Sequence, residues 1–242
     1  MPRLLTGDEV YTELSSIVAY REPTSTHGDT LTTDAQAVAD ISIDLTSATN
    51  FVANDPILIS GDQGSELNEI SAIAVLVATL KRKVLFANSI GSRVLGLVRI
   101  PLGHIGEDSA EFSGAPTVNA VPAATSKTPI AYIAVGGELS GRFSLTGFNV
   151  LNMQLAFGAA ESEIGTGVVG DPYRGAIGRA AMGTQGILCF KATGLRKDGS
   201  TIEVDFVDVT ITGSPTMNVS GKTGRPIPVE FRAITHVINI WK

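Results

Sequence analysis

The side chains that could bind a metal are few and scattered along the chain. The three histidines, His27, His104 and His236, share no metal-ligand spacing and have no cysteine beside them in the sequence. Zinc and other transition-metal sites need several such ligands in a compact pattern. We therefore expect surface or turn histidines and no bound metal.

A small group of carboxylates, Glu107, Asp108 and Glu111, could in principle supply the paired acids of a hydrolase. Acids this close together at the start of a strand are more typical of a solvated sheet edge, where charge prevents unwanted strand pairing. The sequence has no Gly-x-Ser-x-Gly motif and no indication of a Cys–His pair. It therefore predicts no catalytic residue and a protein that is not an enzyme.

The stretch GTGVVG at 165–170 has the glycine spacing of dinucleotide-binding folds. That chemistry requires a strand before the glycines and a helix after them, because the helix N-terminus holds the pyrophosphate. Here a predicted helix precedes the glycines and Asp171–Pro172 follows them, so the required helix cannot begin there. We expect a flexible glycine loop and no cofactor.

The composition indicates a folded, acidic protein. Of 242 residues, 43% are hydrophobic and 17% charged, and the net charge of −6 argues against binding nucleic acid through phosphate contacts. The single cysteine, Cys189, excludes an internal disulfide, and we expect it to be a small buried side chain. The start, MPRLLTGDEV, lacks the apolar stretch of a signal peptide. The longest apolar run, at 70–80, is about half the ~20 residues that a membrane helix needs. We expect a soluble protein made in the cytoplasm, without membrane insertion.

Frequent Gly and Pro between β-branched segments predict a mostly β fold. Residues 21–36 are polar and turn-rich, and we interpret them as a linker. About six short strands follow within 37–98, so we predict a small inserted all-β domain at 24–98, in which KRK (81–83) forms a solvated hairpin tip. The main domain then comprises 1–23 and 99–242, a β-sandwich or barrel.

The main domain has one predicted helix. In NVLNMQLAFG (149–158), Asn149 is a suitable N-cap and Gly158 a C-terminal stop, and Leu155 and Phe157 are expected to face the sheet. The stretch 115–130, with three prolines, is predicted to be a loop. A Gly-rich loop at 159–184 follows the helix, and a loop of that length indicates a function between molecules.

The segment TIEVDFVDVTITG (201–213) alternates like a strand but changes parity near Phe206–Val207, which predicts a β-bulge. With that bulge, all six apolar residues share one face. Glu203, Asp205 and Asp208 then share the other.

Three segments resemble the tail tube (major tail) proteins of long-tailed bacteriophages. They are IPLGHIGEDSAEFSG (100–114), GRFSLTGFNVLNMQLAFGA (141–159) and TIEVDFVDVTITGSPTMNVSGKTGRPIPVEFRAIT (201–235). Their order is that of the family: a strand, a short helix, then closing strands ending in a Pro-Val-x-Phe-x-Ala pattern at 228–233. The small domain at 24–98 departs from the compact family pattern.

This resemblance implies a tail-tube-type β-sandwich with one flanking helix, which assembles into stacked hexameric rings. Such a tube belongs to the virion, is assembled in the bacterial host cytoplasm, surrounds the tape-measure protein and meets tail-tip (initiator) and terminator proteins. Each subunit of such proteins gives about four strands to an inner barrel through which double-stranded DNA passes during ejection. The small domain at 24–98 is then expected on the outer surface of the tube.

Two sets of site residues follow from the resemblance. An acidic channel wall would keep DNA centred without binding it, and Glu203, Asp205 and Asp208 are the candidates. The alternative is that this face is merely solvated on the outside. The loop at 159–184 is the candidate inter-subunit contact, through its charged and aromatic side chains: Glu161, Glu163, Tyr173, Arg174 and Arg179.

Other classes of protein remain open on the sequence alone. A capsid decoration or baseplate component would also be acidic, β-rich and without catalytic motifs. A carbohydrate-binding module would need a row of exposed aromatic residues, and 37–98 offers only Phe51 and Phe86. A hydrolase would need an assembled acid–base set.

Overall fold

The computed structural model describes residues 12–23, 27–100, 102, 105, 110–123, 126–146, 150–158, 164–165, 176–177, 186–196, 201–213 and 226–241. Within these ranges the chain is mostly β, and α1 (Val150–Ala156) is its helix. The predicted fold class is confirmed in these terms. Apolar residues alternate with polar ones along most strands, as expected for sheets with one face in a core.

A seven-stranded antiparallel sheet, here called the large sheet, contains most of the second half of the chain. In spatial order it consists of β8 (Val98–Ile100), β1 (Thr12–Arg21), β13 (Leu188–Arg196), β14 (Thr201–Ile211), β15 (Ile227–Trp241), β10 (Ser126–Leu145) and β9 (Glu111–Ala123). Its concave side holds a core shared with α1, in which Phe143, Phe190, Phe206 and Phe231 are all buried. The rings of Phe190 and Phe231 meet edge to face with centroids 4.9 Å apart.

A six-stranded sheet, the small sheet, lies between Asp29 and Gly96. In spatial order it consists of β2 (Asp29–Leu31), β7 (Arg93–Gly96), β4 (Pro56–Ser60), β5 (Ser65–Ala74), β6 (Val77–Leu80) and β3 (Ser42–Asp44). The two outer strands approach each other, since Thr32 bridges to Leu45 and the Thr33 amide donates to the Asp44 carbonyl at 2.9 Å. The sheet thereby curls around its own core, which includes Ile43, Ile57, Ile59 and Ile70.

The two sheets pack against each other through a third apolar cluster, the interface cluster. The small sheet contributes Leu58, Leu67 and Leu95, which are joined by Leu97 of the connection to β8. The large sheet contributes Cys189 and Val207, with Tyr20 and Ile187 partly buried beside them. The small sheet therefore covers part of the convex side of the large sheet.

Several local predictions are corrected by the structure. The described residues of 115–130 do not form a loop, because 115–123 belong to β9 and 126–130 to β10, and these two strands pair as one long hairpin. Prolines are tolerated at edge strands and irregularities, and the pairing of these strands is irregular between Ser126 and Ala131. The predicted linker 21–36 contains β2, and its residue Arg21 ends β1.

The helix agrees closely with its prediction. It ends where Gly158 takes a φ of 60°, and the Gly158 amide donates to the Leu155 carbonyl at 3.0 Å. This left-handed position favours glycine. Leu155 is buried in the large-sheet core as predicted, whereas Phe157 is half-buried. The proposed cap, Asn149, lies outside the described residues.

The parity change in β14 is real but lies slightly later than predicted. Phe206 and Val209 both point into the large-sheet core, so the alternation shifts between them, at a point where Asp208 has a φ of 51°. The pairing with β15 keeps one register, with Phe206 opposite His236 and Val209 opposite Ala233. Val207 does not share the core face, because it belongs to the interface cluster.

Candidate functional site

The acids of β14 do not form an open wall. Asp205 is 1% exposed, because the small sheet covers it, and its carboxylate accepts a hydrogen bond from Arg82 at 2.8 Å. Glu203 lies 3.6 Å from Arg82 and 3.9 Å from Lys191. Asp205, enclosed between the two sheets, cannot face a lumen in this arrangement of the chain, so its prediction as a channel residue is wrong. Glu203 keeps 22% of its side chain exposed, and its predicted role in a channel wall stays a prediction.

Burial dominates the chemistry of the enclosed acids. It raises the pKa of Asp205, against the opposing effects of Arg82 and Lys191. Burial also raises the pKa of Asp208, which is half-buried in the left-handed position of β14. Both groups thus hold protons more tightly than a solvated aspartate does.

Sequence reasoning missed Arg82, which carries this site. The run KRK at 81–83 predicts a solvated hairpin tip, and Lys81 does form an exposed ion pair with Glu69 of the same sheet. Arg82, between two lysines, instead reaches across to β14 and is 14% exposed. A run of three cations gives no sign of which one is enclosed.

The predicted inter-subunit loop is described only in part. Glu161, Glu163, Tyr173, Arg174 and Arg179 lie outside the described residues. Two short strands within the loop, β11 (Ile164–Gly165) and β12 (Ala176–Ile177), pair with each other. The contact role of the loop stays a prediction.

A second polar surface lies on the uncovered part of the convex side of the large sheet. We call it the bare face. Its members are on neighbouring strands and paired directly across them: Glu111, Ser113, Ser140, Arg142, Thr210, Glu230 and Arg232. Arg142 lies between Glu111 and Glu230 and forms an ion pair with Glu111. The acids and bases among these residues are equal in number, so the bare face is polar without net charge.

The long hairpin separates from the rest of the large sheet at Leu139, while β15 continues to Trp241 paired with β14. β10 pairs with β15 from Leu139 to Leu145, and beyond Leu139 its recorded partner is β9. The part from Ala115–Glu138 to its end at Ala123–Ser126 is thus a two-stranded ribbon about 30 Å long. Lys127 is its single charge between Pro116 and Gly137.

The remaining candidate groups do not converge. Glu107, Asp108 and His104 lie outside the described residues. His27 is 3.8 Å from Glu22, which is also 3.4 Å from Arg93, and Arg93 donates to Asp29 at 2.8 Å. These residues tie the end of β1 to the small sheet. Across the described ranges there is no cluster of three or more residues suited to hold a metal.

Cys189 has the predicted environment. It is fully buried and free in the interface cluster, and burial raises its pKa to about 12. A thiol with that pKa is unreactive at neutral pH. The structure therefore assigns it a packing role.

Comparison with known proteins adds no relationship. No family model matches the chain, and no curated protein shows significant similarity to it. In the part of the chain that the structure describes, no helix is long and apolar enough to cross a membrane.

Proposed function

We propose that the chain is a virion structural protein that self-assembles into stacked hexameric rings, forming the tail tube of a long-tailed phage. In this role it surrounds the tape-measure protein and gives passage to double-stranded DNA. The observation that carries the self-assembly is the long hairpin of β9 and β10. That the assembly is a tube of stacked rings is inferred from the resemblance of three sequence segments to tail tube proteins.

The hairpin supports self-association on physical grounds. An isolated two-stranded ribbon is at best marginally stable in water, so one about 30 Å long needs a surface to pack on. β9 is also the last strand in the order of the large sheet and is 13 residues long, with Glu111 as its one charge. A long, nearly uncharged edge strand is a template for pairing with another chain. A second copy of the chain is the partner that supplies this surface.

The resembling segments form one continuous unit, which also supports the proposal. They contribute the first part of β9, the end of β10, α1, β14 and much of β15. β9, β10, β15 and β14 are consecutive neighbours in the large sheet, and α1 packs on β15. Four neighbouring strands are what the resemblance implies for the inner barrel.

The bare face replaces the β14 acids as our candidate channel wall. It belongs to these same four strands, and its arginines are balanced by Glu111 and Glu230. A wall without net positive charge offers DNA little affinity, because affinity for the backbone comes from cations that neutralise phosphates. The small sheet lies on the same convex side, at β14 and Tyr20 of β1, so the proposed wall is the part of that side which the small sheet leaves free.

Shortening the hairpin tests the proposal. Ala115 pairs with Glu138, so Asn-Gly in place of 116–137 joins them by a two-residue turn. We expect this variant to keep its circular dichroism spectrum and thermal transition but to sediment as a single chain. The wild type should sediment as large assemblies at the same concentration.

A matched edit of the small sheet provides the control. Ala74 pairs with Val77 across the turn Val75–Leu76, which can be replaced by Asn-Gly in the same way. This control should assemble like the wild type. Assembly of the hairpin variant, or loss of assembly in the control, would refute the assigned role of the ribbon.

A further inference from the structure

Arg82 connects the two sheets through one guanidinium group. It follows β6 of the small sheet, and its Nη2 donates to the Leu67 carbonyl of that sheet. Its Nη1 donates to Asp205 Oδ2 of β14 at 2.8 Å and lies 3.6 Å from Glu203 Oε2. The same side chain is thus bonded to both sheets.

The acids that receive Arg82 depend on it. Asp205 is 1% exposed, and among the described residues its Oδ1 accepts no hydrogen bond. Lys191 stands 4.0 Å from that oxygen and 3.9 Å from Glu203, which is too far for a hydrogen bond. Arg82 is therefore the cation in direct contact with the buried carboxylate. Without it, Asp205 would be enclosed beside one distant ammonium group.

The interface cluster lies next to this ion group. Tyr20 of the cluster is close enough for Asp205 and Arg82 to influence its pKa, which burial raises. Val207 is two residues beyond Asp205 on the same strand and belongs to the cluster. Separation of the sheets would consequently expose apolar leucines and a charged group together.

We propose that Arg82 is a latch that keeps the small sheet docked on the large sheet, and that its removal lets the sheets separate while each keeps its own core. The proposal goes beyond the assembly function and does not depend on it. Each sheet has its own apolar core, which includes Phe231 in the large sheet and Ile59 in the small one. When the latch is lost, the interface between the sheets can therefore open locally without global unfolding of the protein.

The energetic reason lies in the asymmetry of buried ion pairs. Forming such a pair from water contributes little, because desolvation offsets the attraction. Removing one partner is costly, since the other charge then stays buried without compensation. Opening of the interface returns Asp205 to water and relieves that cost.

Cys189 provides a built-in reporter of the opening. It is the single cysteine of the chain, is fully buried and lies in the interface cluster. A thiol reagent can reach it only when that cluster opens. The rate of its labelling in the folded protein therefore measures docking.

The experiment compares Arg82→Met with Lys81→Met in the full chain, using a small aromatic disulfide as thiol reagent. Lys81 is the matched control, because it is a neighbouring cation whose ion pair with Glu69 stays within the small sheet. We expect labelling of Cys189 to be at least about tenfold faster in Arg82→Met than in the wild type. Lys81→Met should react at the wild-type rate, and Arg82→Lys should lie between wild type and Arg82→Met.

Hydrogen exchange at the amides of Phe143 and Phe231 distinguishes local opening from global unfolding, because both residues lie in the large-sheet core. Faster labelling with unchanged exchange at these amides supports the latch. Unchanged labelling in Arg82→Met overturns it. Labelling and core exchange that accelerate by the same factor also overturn it, since the arginine would then stabilise the whole fold without specifically holding the interface.

Discussion

At the scale of single residues, two of the acidic side chains are almost completely buried. Asp205 and Glu66 are each 1% exposed, and burial raises the pKa of both. Glu66 is held by the Leu85 amide at 2.6 Å, whereas Asp205 faces Arg82 and, farther away, Lys191. Charged groups are rarely buried without a partner. Each of these two acids therefore depends on the neighbouring groups that bind its carboxylate.

The raised pKa of Asp205 predicts the pH dependence of stability. A carboxyl whose folded pKa lies above its ordinary value of 3.8 binds its proton more tightly in the native state than in the unfolded state. Its stabilising contribution is full below that ordinary value and is lost as pH rises through the folded pKa. The free energy of unfolding of the wild type minus that of Asp205→Asn should therefore fall as pH rises above the ordinary value of 3.8.

Asp62→Asn serves as the control, because hydrogen bonds from Ser89 lower the pKa of Asp62. Its lowered pKa reverses the sign, so the corresponding difference should be lost as pH falls below the ordinary value of 3.8 and stay nearly level above it, where the Asp205 difference falls. Urea unfolding at a series of pH values measures both. A difference for Asp205 that rises with pH would mean that Arg82, Lys191 and the other surrounding charges outweigh burial.

The role of a single residue could be predicted from the sequence only where it depends on the residue type or on its neighbours in the sequence. The burial of Cys189 follows from its residue type, and the role of Gly158 follows from its place after a helix. The partner of Asp205 could not be predicted, because Arg82 is 123 residues away in the sequence. An alternating strand shows which residues share a face, but it does not show what covers that face.

At the scale of elements, the turn between β5 and β6 is strained. It has two residues, and Val75 adopts a φ of 55° while 90% exposed. A β-branched residue is disfavoured there, and hairpin turns of this kind favour glycine at that position. Val75→Gly should raise the free energy of unfolding by roughly 1 kcal/mol, since it relieves strain and removes little packing.

Val77→Gly is the matched control for this prediction. Val77 is the first residue of β6 and has no such backbone constraint, so the same substitution should destabilise the protein. Chemical denaturation of both variants gives the comparison. If Val75→Gly lost as much stability as Val77→Gly, the backbone at Val75 would not be strained.

Gly141 is a second position where an element depends on one residue. It lies in β10 opposite Phe231, and an added Cβ would be 2.4 Å from the Phe231 ring and 2.8 Å from that of Phe112. Gly141→Ala should cost about 1–3 kcal/mol through overpacking. Ser140→Ala, on the opposite face of the strand, should change stability by less than about 0.5 kcal/mol. Equal effects in calorimetry would contradict the packing described.

The elements show where composition misleads. Three prolines made 115–130 resemble a loop, yet this stretch forms the ends of β9 and β10, where edge position and irregular pairing tolerate proline. The helix, by contrast, was predictable because its glycine stop and apolar spacing are local signals. Pairing between distant residues determines the structure of the hairpin, whereas local chemistry determines the helix.

At the scale of the whole molecule, the convex side of the large sheet has two parts. The small sheet covers one part, and the bare face is the other. The mostly β fold was predictable from composition. The division of this side was not, because it depends on the docking of one sheet on the other.

The bare face gives a prediction about DNA. Glu111→Lys combined with Glu230→Lys makes it strongly positive, so unassembled protein should bind duplex DNA with a salt-dependent affinity. If the bare face lines the channel, assemblies of this variant should not retain closed circular DNA, which cannot thread a tube. Co-sedimentation at two salt concentrations measures this.

The control for the DNA experiment carries the same charge change on the small sheet. Asp34→Lys with Asp62→Lys alters exposed residues of the small sheet, which are not part of the bare face. Assemblies of this control should retain circular DNA as well as the unassembled protein does. Equal retention by assemblies of both variants would exclude the bare face as the channel wall.

Electron microscopy of the purified, concentrated protein without any partner tests the central claim most directly. Self-assembly through the long hairpin predicts hollow tubes or stacked six-fold rings with a pore wide enough for duplex DNA. Dispersed particles the size of one chain, unchanged as concentration rises, would contradict it. That result would favour a decoration or baseplate protein, which needs its own particle to bind.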